Sequence, residues 1–221
     1  MTDSRNADAS RLAAASLEQG DPTGWFERLY VAAADGAAVV PWDAAEPNPL
    51  LVDWIERHER ENGGMRAVVV GCGLGRDAEH LAGLGFDTTG FDVSETAIRT
   101  ARERFPSSTV KYTVADLLDP PAAWNGAFDL VVESITVQSM PVSVRAVATA
   151  NVARMVAPGG ELLVIAGIRE EGEEVDGPPW PLTRAEIDAF AGGDLRSTRV
   201  EQVSPAGKPD FTRWRAVFQR G

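Results

Sequence analysis

Three glycines at two-residue spacing, Gly71, Gly73 and Gly75, stand directly behind the apolar run Val68-Val69-Val70. Glycine has no Cβ, so a loop of this kind turns sharply and lets its amides approach a bound group. A β-branched run before it and a helical pattern after it are the context that a ligand-binding glycine loop requires. Arg76 occupies the place where a dinucleotide fingerprint has its last glycine, so the loop alone selects no particular nucleotide. Two carboxylates narrow the chemistry. Asp92 ends the next strand, in Gly90-Phe91-Asp92-Val93-Ser94, 21 residues after Gly71, where a carboxylate can accept both ribose hydroxyls of an adenosine. Asp116 follows the third strand, in Val114-Ala115-Asp116-Leu117, where an adenine amino group could be met. Either aspartate alone also reads as a helix cap or turn residue. All three features at successive strand ends favour adenosine binding.

Past the fourth strand, Glu133-Ser134-Ile135-Thr136-Val137-Gln138-Ser139-Met140-Pro141 holds one strongly ionisable group, Glu133, suited to orienting a cofactor or accepting a proton. Cys72, inside the glycine loop, reads as a small residue packed beneath a ligand rather than a thiol nucleophile. His58 and His80 read as packing or surface residues. The acidic run Glu170–Asp176 reads as a solvated loop. It runs into Pro178-Pro179-Trp180-Pro181, and so also reads as a lid with Trp180 facing a substrate.

The elements that must position these groups alternate. Strands are expected at 67–70, 86–91, 109–114, 128–133 and 161–168, with helices at 75–84, 94–105, 142–156 and 183–190 between or after them. Pro158-Gly159-Gly160 is the expected stop of the third of these helices. Thr183 with Glu186 makes a capping box. Strand runs alternating with helical runs predict an α/β fold, a doubly wound and mostly parallel sheet. The runs 195–203 and 211–219 have no helix between them and predict a C-terminal antiparallel hairpin. Upstream, a loose helix is expected from Ser10 to Gln19 and another from Leu50 to about Glu61, ended by Asn62-Gly63-Gly64. Between them, Trp25, Phe26, Tyr30 and Trp42 among Pro22, Pro41, Pro47 and Pro49 read as an irregular aromatic segment that packs against something.

Composition excludes several classes. The chain has 221 residues, with 21 Lys+Arg against 33 Asp+Glu, a formal charge of −12. That balance and the lack of a basic run argue against a phosphate-tracking nucleic-acid binder. No apolar stretch has the length of a membrane span, and the first twenty residues, with Asp3, Asp8 and Glu18, do not read as a signal peptide. One cysteine and two histidines make neither an internal disulfide nor a zinc site, so no metal is expected. The expectation is a soluble, cytoplasmic monomer or homodimer that binds small molecules and neither nucleic acid nor membrane.

In order, Gly71-Cys72-Gly73-Leu74-Gly75, Asp92, Asp116, Phe128-Asp129-Leu130-Val131-Val132-Glu133 and Ala157-Pro158-Gly159-Gly160-Glu161-Leu162 resemble the motifs of class I S-adenosylmethionine-dependent methyltransferases, over residues 66–219. The flanks Val40-Pro41-Trp42-Asp43 and Pro47-Asn48-Pro49-Leu50, with Gly71–Asp77, are similar to the thiopurine, thiol and halide methyltransferase branch; Gly177–Thr183 and Arg213–Phe218 are similar to bacterial proteins of that neighbourhood. The resemblance implies a seven-stranded Rossmann-like sheet over 66–221 and an N-terminal helical cover, 1–65, folded over S-adenosylmethionine. Asp92 then holds the ribose, Asp116 the adenine and Gly71, Cys72 and Gly73 the methionine end, with Val93, Leu117 and Glu133 beside them. Trp25 and Trp42 offer flat faces to the sulfonium or adenosine. Tyr30, Ser134 and Trp180 are the candidate substrate contacts, and Glu133 and Asp43 the candidate catalytic groups. Methyl transfer is an in-line displacement in which a thiolate or halide needs no base, whereas a hydroxyl or amine does. The segment after the fourth strand lacks the Asn/Asp-Pro-Pro-aromatic signature of enzymes that methylate amino groups of nucleic acids, and Asp119-Pro120-Pro121 follows the wrong strand. A small thiol is therefore the leading acceptor. A base-dependent O- or N-methyltransferase of a secondary metabolite and a non-catalytic cofactor-binding protein stay open. A nicotinamide oxidoreductase is disfavoured by Arg76, Asp116 and the hairpin.

Overall fold

A computed structural model of the chain describes residues 6–58, 63–209 and 211–221. Seven strands, β1 Arg66–Val70, β2 Asp87–Asp92, β3 Lys111–Val114, β4 Phe128–Ser134, β5 Val156–Gly167, β6 Leu195–Val203 and β7 Arg213–Arg220, form one sheet. Their order is β3-β2-β1-β4-β5-β7-β6. The pairs from β3 to β5 are parallel, and β7 is antiparallel to both β5 and β6. The expected mostly parallel sheet with an antiparallel C-terminal hairpin is what the chain forms.

β1 and β5 read as continuous apolar runs because both sheet faces are covered. Val68, Val70, Leu162 and Val164 pack on one side with α6 (Val142–Met155) and the residues around α7 (Arg184–Asp188). Ala67, Val69, Leu163 and Ile165 pack on the other with α3 (Pro49–Arg57), α4 (Arg76–Gly83) and α5 (Glu95–Arg104). Each such Val, Leu or Ile side chain taken fully out of water contributes about 1.5–3 kcal/mol. The Thr183 capping box is present. Pro158-Gly159-Gly160, however, does not stop the helix. α6 ends at Met155, Val156 already pairs with Phe128, and the register shifts before pairing resumes at Leu130 with Glu161. The Val156 amide donates to the Ala153 carbonyl and closes the helix while its residue already pairs with β4, so the Pro-Gly-Gly turn becomes an irregularity inside β5. The expected end of α3 at Glu61 and its Asn62 stop lie outside the described residues, as does Asp3; the helix itself spans Pro49–Arg57.

The larger departure is upstream. Besides α1 (Ala7–Glu18), the supposedly irregular segment holds a second helix, α2 (Gly24–Ala34). Asp21 Oδ1 accepts the amides of Thr23 and Gly24 and so ends the preceding turn and starts the helix. Spacings of four then split the aromatic residues. Trp25 and Leu29 are completely buried, while Phe26 and Tyr30 lie on an adjoining face. The docking of α2 is polar as well as apolar. Glu27 accepts hydrogen bonds from the Ser94 hydroxyl (2.5 Å), the Thr96 hydroxyl (2.7 Å) and the Thr96 amide (3.1 Å), gripping the start of α5. Burial raises the pKa of Glu27, but these bonds and Arg99 outweigh it and hold the carboxyl below its ordinary 4.5. Stability from this contact is therefore present above pH 4.5 and is lost as pH falls through the lowered value. Glu27→Ala should lose about 1.5–3 kcal/mol at pH 7. In thermal melts its deficit should shrink below about pH 4.5, as the wild-type carboxyl protonates. A deficit independent of pH would assign the loss to packing instead.

Candidate active site

The carboxyl ends of β1, β2, β3 and β4 open onto a cavity of about 790 Å³, within the size range of small-molecule sites. Its floor is the glycine loop. Gly71 and Gly73 have φ of 57° and 51°, where an L side chain is strained. A Cβ on Gly71 would sit 2.5 Å from Thr136 Oγ1, and one on Gly73 2.8 Å from Tyr30 Oη. Cys72 donates its amide to the Phe91 carbonyl (2.8 Å), binding the loop to the end of β2. Burial, then the Asp92 charge, push its thiol well above the ordinary value, so the sulfur stays an inert thiol.

Asp92 lies beside this loop because Val70 and Phe91 are register partners. Its Oδ2 accepts the Gly73 amide (2.9 Å) and its Oδ1 the Ser94 amide (3.0 Å). Burial raises its pKa to about 6 against the pull of those two bonds. Val93, Asp116 and Leu117 border the same cavity. Asp116 Oδ1 caps the Leu118 amide (2.8 Å), and Asn151 of α6 donates to the Leu117 carbonyl (2.7 Å). The turn after β3 is thus held from two sides.

The N-terminal segment supplies the opposite wall through Phe26, Tyr30 and Trp42. Trp42 Nε1 donates to Tyr30 Oη (2.7 Å), leaving the Tyr30 proton without an acceptor among the described residues. Burial keeps that hydroxyl protonated, its pKa pushed well above 10. Trp25 is not part of this wall. On α2 it faces the interior, edge-on to Trp42 with centroids 6.0 Å apart, and is fully buried.

Both candidate bases prove to be engaged elsewhere. Asp43 borders the cavity, but its two oxygens are gripped by Arg104 of α5 at 2.8 and 2.9 Å. Glu133 is fully buried and does not border the cavity; strand alternation turns it away while Ser134, which receives the Asn48 side-chain amide at 3.0 Å, does border it. Glu133 Oε1 instead accepts the amides of Thr136 (2.8 Å) and Val137 (2.9 Å), and its Oε2 has no hydrogen-bond partner among the described residues. Burial raises its pKa to about 7 against those two bonds. The turn it holds contains Ile135 at φ 67°, a strained conformation for a β-branched residue.

Trp180 is likewise displaced from its expected role. Its ring lies where a Gly177 Cβ would come within 2.5 Å, and Pro178 and Pro179 face the cavity instead. The Trp180 amide donates to the Gln138 carbonyl (2.8 Å) and its carbonyl accepts Arg145 Nη2 (2.6 Å). The acidic run 170–176 does not border the cavity.

Other residues at the site escaped the sequence reading. Thr136, which donates to the Val70 carbonyl (2.9 Å), Met140, Phe211 and Arg213 all border the cavity. So do Asn48 and Asp77, joined by the Asn48 amide donating to Asp77 Oδ1 (2.7 Å). Asn48 alone carried a local signal, since an Asn-Pro pair marks a helix start. Among the described residues no cluster of His, Cys, Asp or Glu is arranged to hold a metal ion, and no helix is long and apolar enough to cross a membrane.

Two features fit an adenosine-bearing cofactor. A cavity-lining carboxylate is oriented by backbone amides, and the loop beside it has no room for a Cβ at either Gly71 or Gly73. Residues 67–160 match the family model of a methyltransferase domain. The chain is 27% identical to a probable thiol methyltransferase 2 of Arabidopsis thaliana over 78% of its length and 73% of that protein's. It is 36% identical to a ubiquinone biosynthesis O-methyltransferase of Thiobacillus denitrificans, over 52% of this chain and about half (49%) of that one. The N-methyltransferase NodS of Bradyrhizobium japonicum, solved with S-adenosylhomocysteine, shares the fold with a TM-score of 0.67 at 19% identity, over 88% of this chain and 98% of that one. Sheet order, domain match and relatives converge: the chain carries a methyltransferase domain in the fold of the class I S-adenosylmethionine-dependent methyltransferases.

Proposed function

We propose that this methyltransferase acts on a small molecule and delivers the methyl group to a thiol or another soft nucleophile. The observation that carries this reading is the engagement of both candidate bases. Asp43 is clamped by Arg104, and Glu133 is turned beneath the 134–140 turn. Neither histidine borders the cavity. An acceptor that ionises unaided suits such a site; a hydroxyl or amine needs proton removal. The thiol methyltransferase relative supports the same reading. The O-methyltransferase relative favours oxygen as the second one.

S-adenosylmethionine supplies the activated methyl group on its sulfonium. In this reading Asp92 accepts the ribose hydroxyls with the lone pairs that Gly73 and Ser94 leave free. Asp116, Val93 and Leu117 bound the adenine. Gly71, Cys72 and Gly73 let the backbone approach the amino-acid end, where Tyr30 offers its unused hydroxyl proton. Trp42 and Phe26 exclude water from above, and Ser134 and Thr136 line the passage to the acceptor. These residues align and enclose the reactants rather than exchange protons with them.

Calorimetry should detect S-adenosylhomocysteine binding that weakens about 10–100-fold in Asp92→Ala, since each charged hydrogen bond lost costs about 1.5–3 kcal/mol. Wild-type affinity should be level above pH 6 and fall below it as Asp92 protonates, and the variant should lose this slope. Unchanged affinity in the variant would remove Asp92 from the site. Glu133 binds its proton more tightly in the folded protein, so its contribution to stability declines as pH rises from 4.5 to about 7. Glu133→Gln should flatten that decline in thermal melts and keep kcat within about threefold; a general base would cost about 10²–10⁴-fold. Turnover of thiols but not matched phenols supports the soft-nucleophile reading, and the reverse preference overturns it.

A further inference from the structure

At the far end of the cavity stands a cation without an acidic partner among the described residues. Arg213 opens β7 and pairs in register with Gly167, the last residue of β5. The order β3-β2-β1-β4-β5-β7 therefore sets it on the opposite side of β1 and β4 from Asp92 and Asp116. It borders the cavity with the apolar Met140, Pro179 and Phe211. Its guanidinium lies over the Phe211 ring, 3.4 Å from the centroid, and Nη1 donates to the Thr212 carbonyl (2.8 Å). No carboxylate comes within salt-bridge distance among the described residues.

In a chain with twelve more acidic than basic residues, Arg76 also borders the cavity without an ion pair among the described residues. It opens α4 behind the glycine loop, however, with its guanidinium 5.3 Å from the Phe105 ring centroid, whereas Arg213 stands at the β7 end. Arg215, two residues on and on the same face of β7, binds both Asp53 (2.6 Å) and Glu201 (2.8 Å). Arg104 is matched by Asp43, and Arg145 and Arg169 share Glu186. Of the cavity's carboxylates, Asp43 and Asp77 are already bonded within the protein, Asp92 and Asp116 lie toward β2 and β3, and Glu46 sits on the loop before α3. Burial pulls the Arg213 pKa down with no acidic group acting against it. A half-buried guanidinium favours an anion, and with a ring on one face and Nη1 on Thr212, the Nε–Nη2 edge is left for a planar, two-oxygen acceptor. Lys208, on the loop before β7, adds a second cation to the same wall.

We propose that Arg213 is the specificity-determining residue for the acceptor, and that the acceptor is a small apolar or aromatic molecule bearing a carboxylate, which Arg213 binds while the nucleophile points toward β1 and β4. The inference rests on the methyl-acceptor reading above, but it concerns the carboxylate and not the atom methylated. The test uses the enzyme saturated with S-adenosylhomocysteine and two product-like probes, 4-(methylthio)benzoate and its neutral counterpart methyl 4-methylphenyl sulfide. Calorimetry should show the benzoate binding at least tenfold more tightly, and Arg213→Gln should abolish that preference. S-adenosylhomocysteine affinity serves as the check on folding. Equal or undetectable binding of the two probes by wild type, or a preference that survives in a folded Arg213→Gln, overturns the proposal. Turnover of 4-mercaptobenzoate against 4-hydroxybenzoate separates the two readings. If only the phenol is methylated, the soft-nucleophile reading falls while an Arg213-dependent preference for the carboxylate stands.

Discussion

The site depends first on one buried carboxylate held by two backbone amides. Asp92 receives Gly73 from the loop after β1 and Ser94 from the loop after β2, so two successive strand-to-helix turns are fixed by one side chain. The left-handed conformations of Gly71 and Gly73 aim the loop, and Ser94 goes on to cap α5 through the Ala97 amide. Glu27 of the cover grips the same Ser94, which links α2 to the floor it encloses. Keeping a carboxylate in such surroundings opposes folding once it ionises, as its raised pKa reports. The protein accepts that cost where a ligand with hydroxyl donors could later relieve it.

The end of the cavity toward β5 and β7 is built differently. Side chains rather than a glycine loop set its shape. Glu133 fixes the turn with Ile135, and Arg145 reaches from α6 to the carbonyls of Met140 and Trp180 and to Glu186. Gln138 closes the circuit by accepting the Gly167 amide (2.5 Å). Apart from Glu133, whose turn reaches the glycine loop through Thr136 and the Val70 carbonyl, this network makes no hydrogen bond to Asp92 or its neighbours among the described residues. That separation suits a fold that carries one cofactor and many substrates.

Legibility followed range. The glycine loop, Asp92 and Asp116 were readable because each sits at a strand end that the local apolar pattern announces. The orientation of a side chain was not. Asp43 meets Arg104 across 61 positions, and nothing near it in the sequence signals that clamp. Glu133 looked like a base because strand polarity was known while its facing was not; one residue along β4 decides between burial and the cavity. α2 was hidden by the prolines around it, although the four-residue spacings of Trp25 with Leu29 and Phe26 with Tyr30 already described two helical stripes. Arg213 stood only in a family-like stretch and was given no role, because its place at the cavity's β7 end without a counter-ion among the described residues is revealed only by the folded arrangement.

The insertion of β7 between β5 and β6 bears on how the molecule is made. Synthesis runs from the N-terminus, so β1 to β6 exist before the strand that lies inside the sheet. Until residues 213–220 emerge, β5 offers an unpaired edge along Leu162–Ala166, a fully buried apolar stretch in the finished protein. Such an edge is a template for pairing with another chain. Emergence of β7 therefore closes that edge and, by bringing in Arg213, also completes the cavity wall.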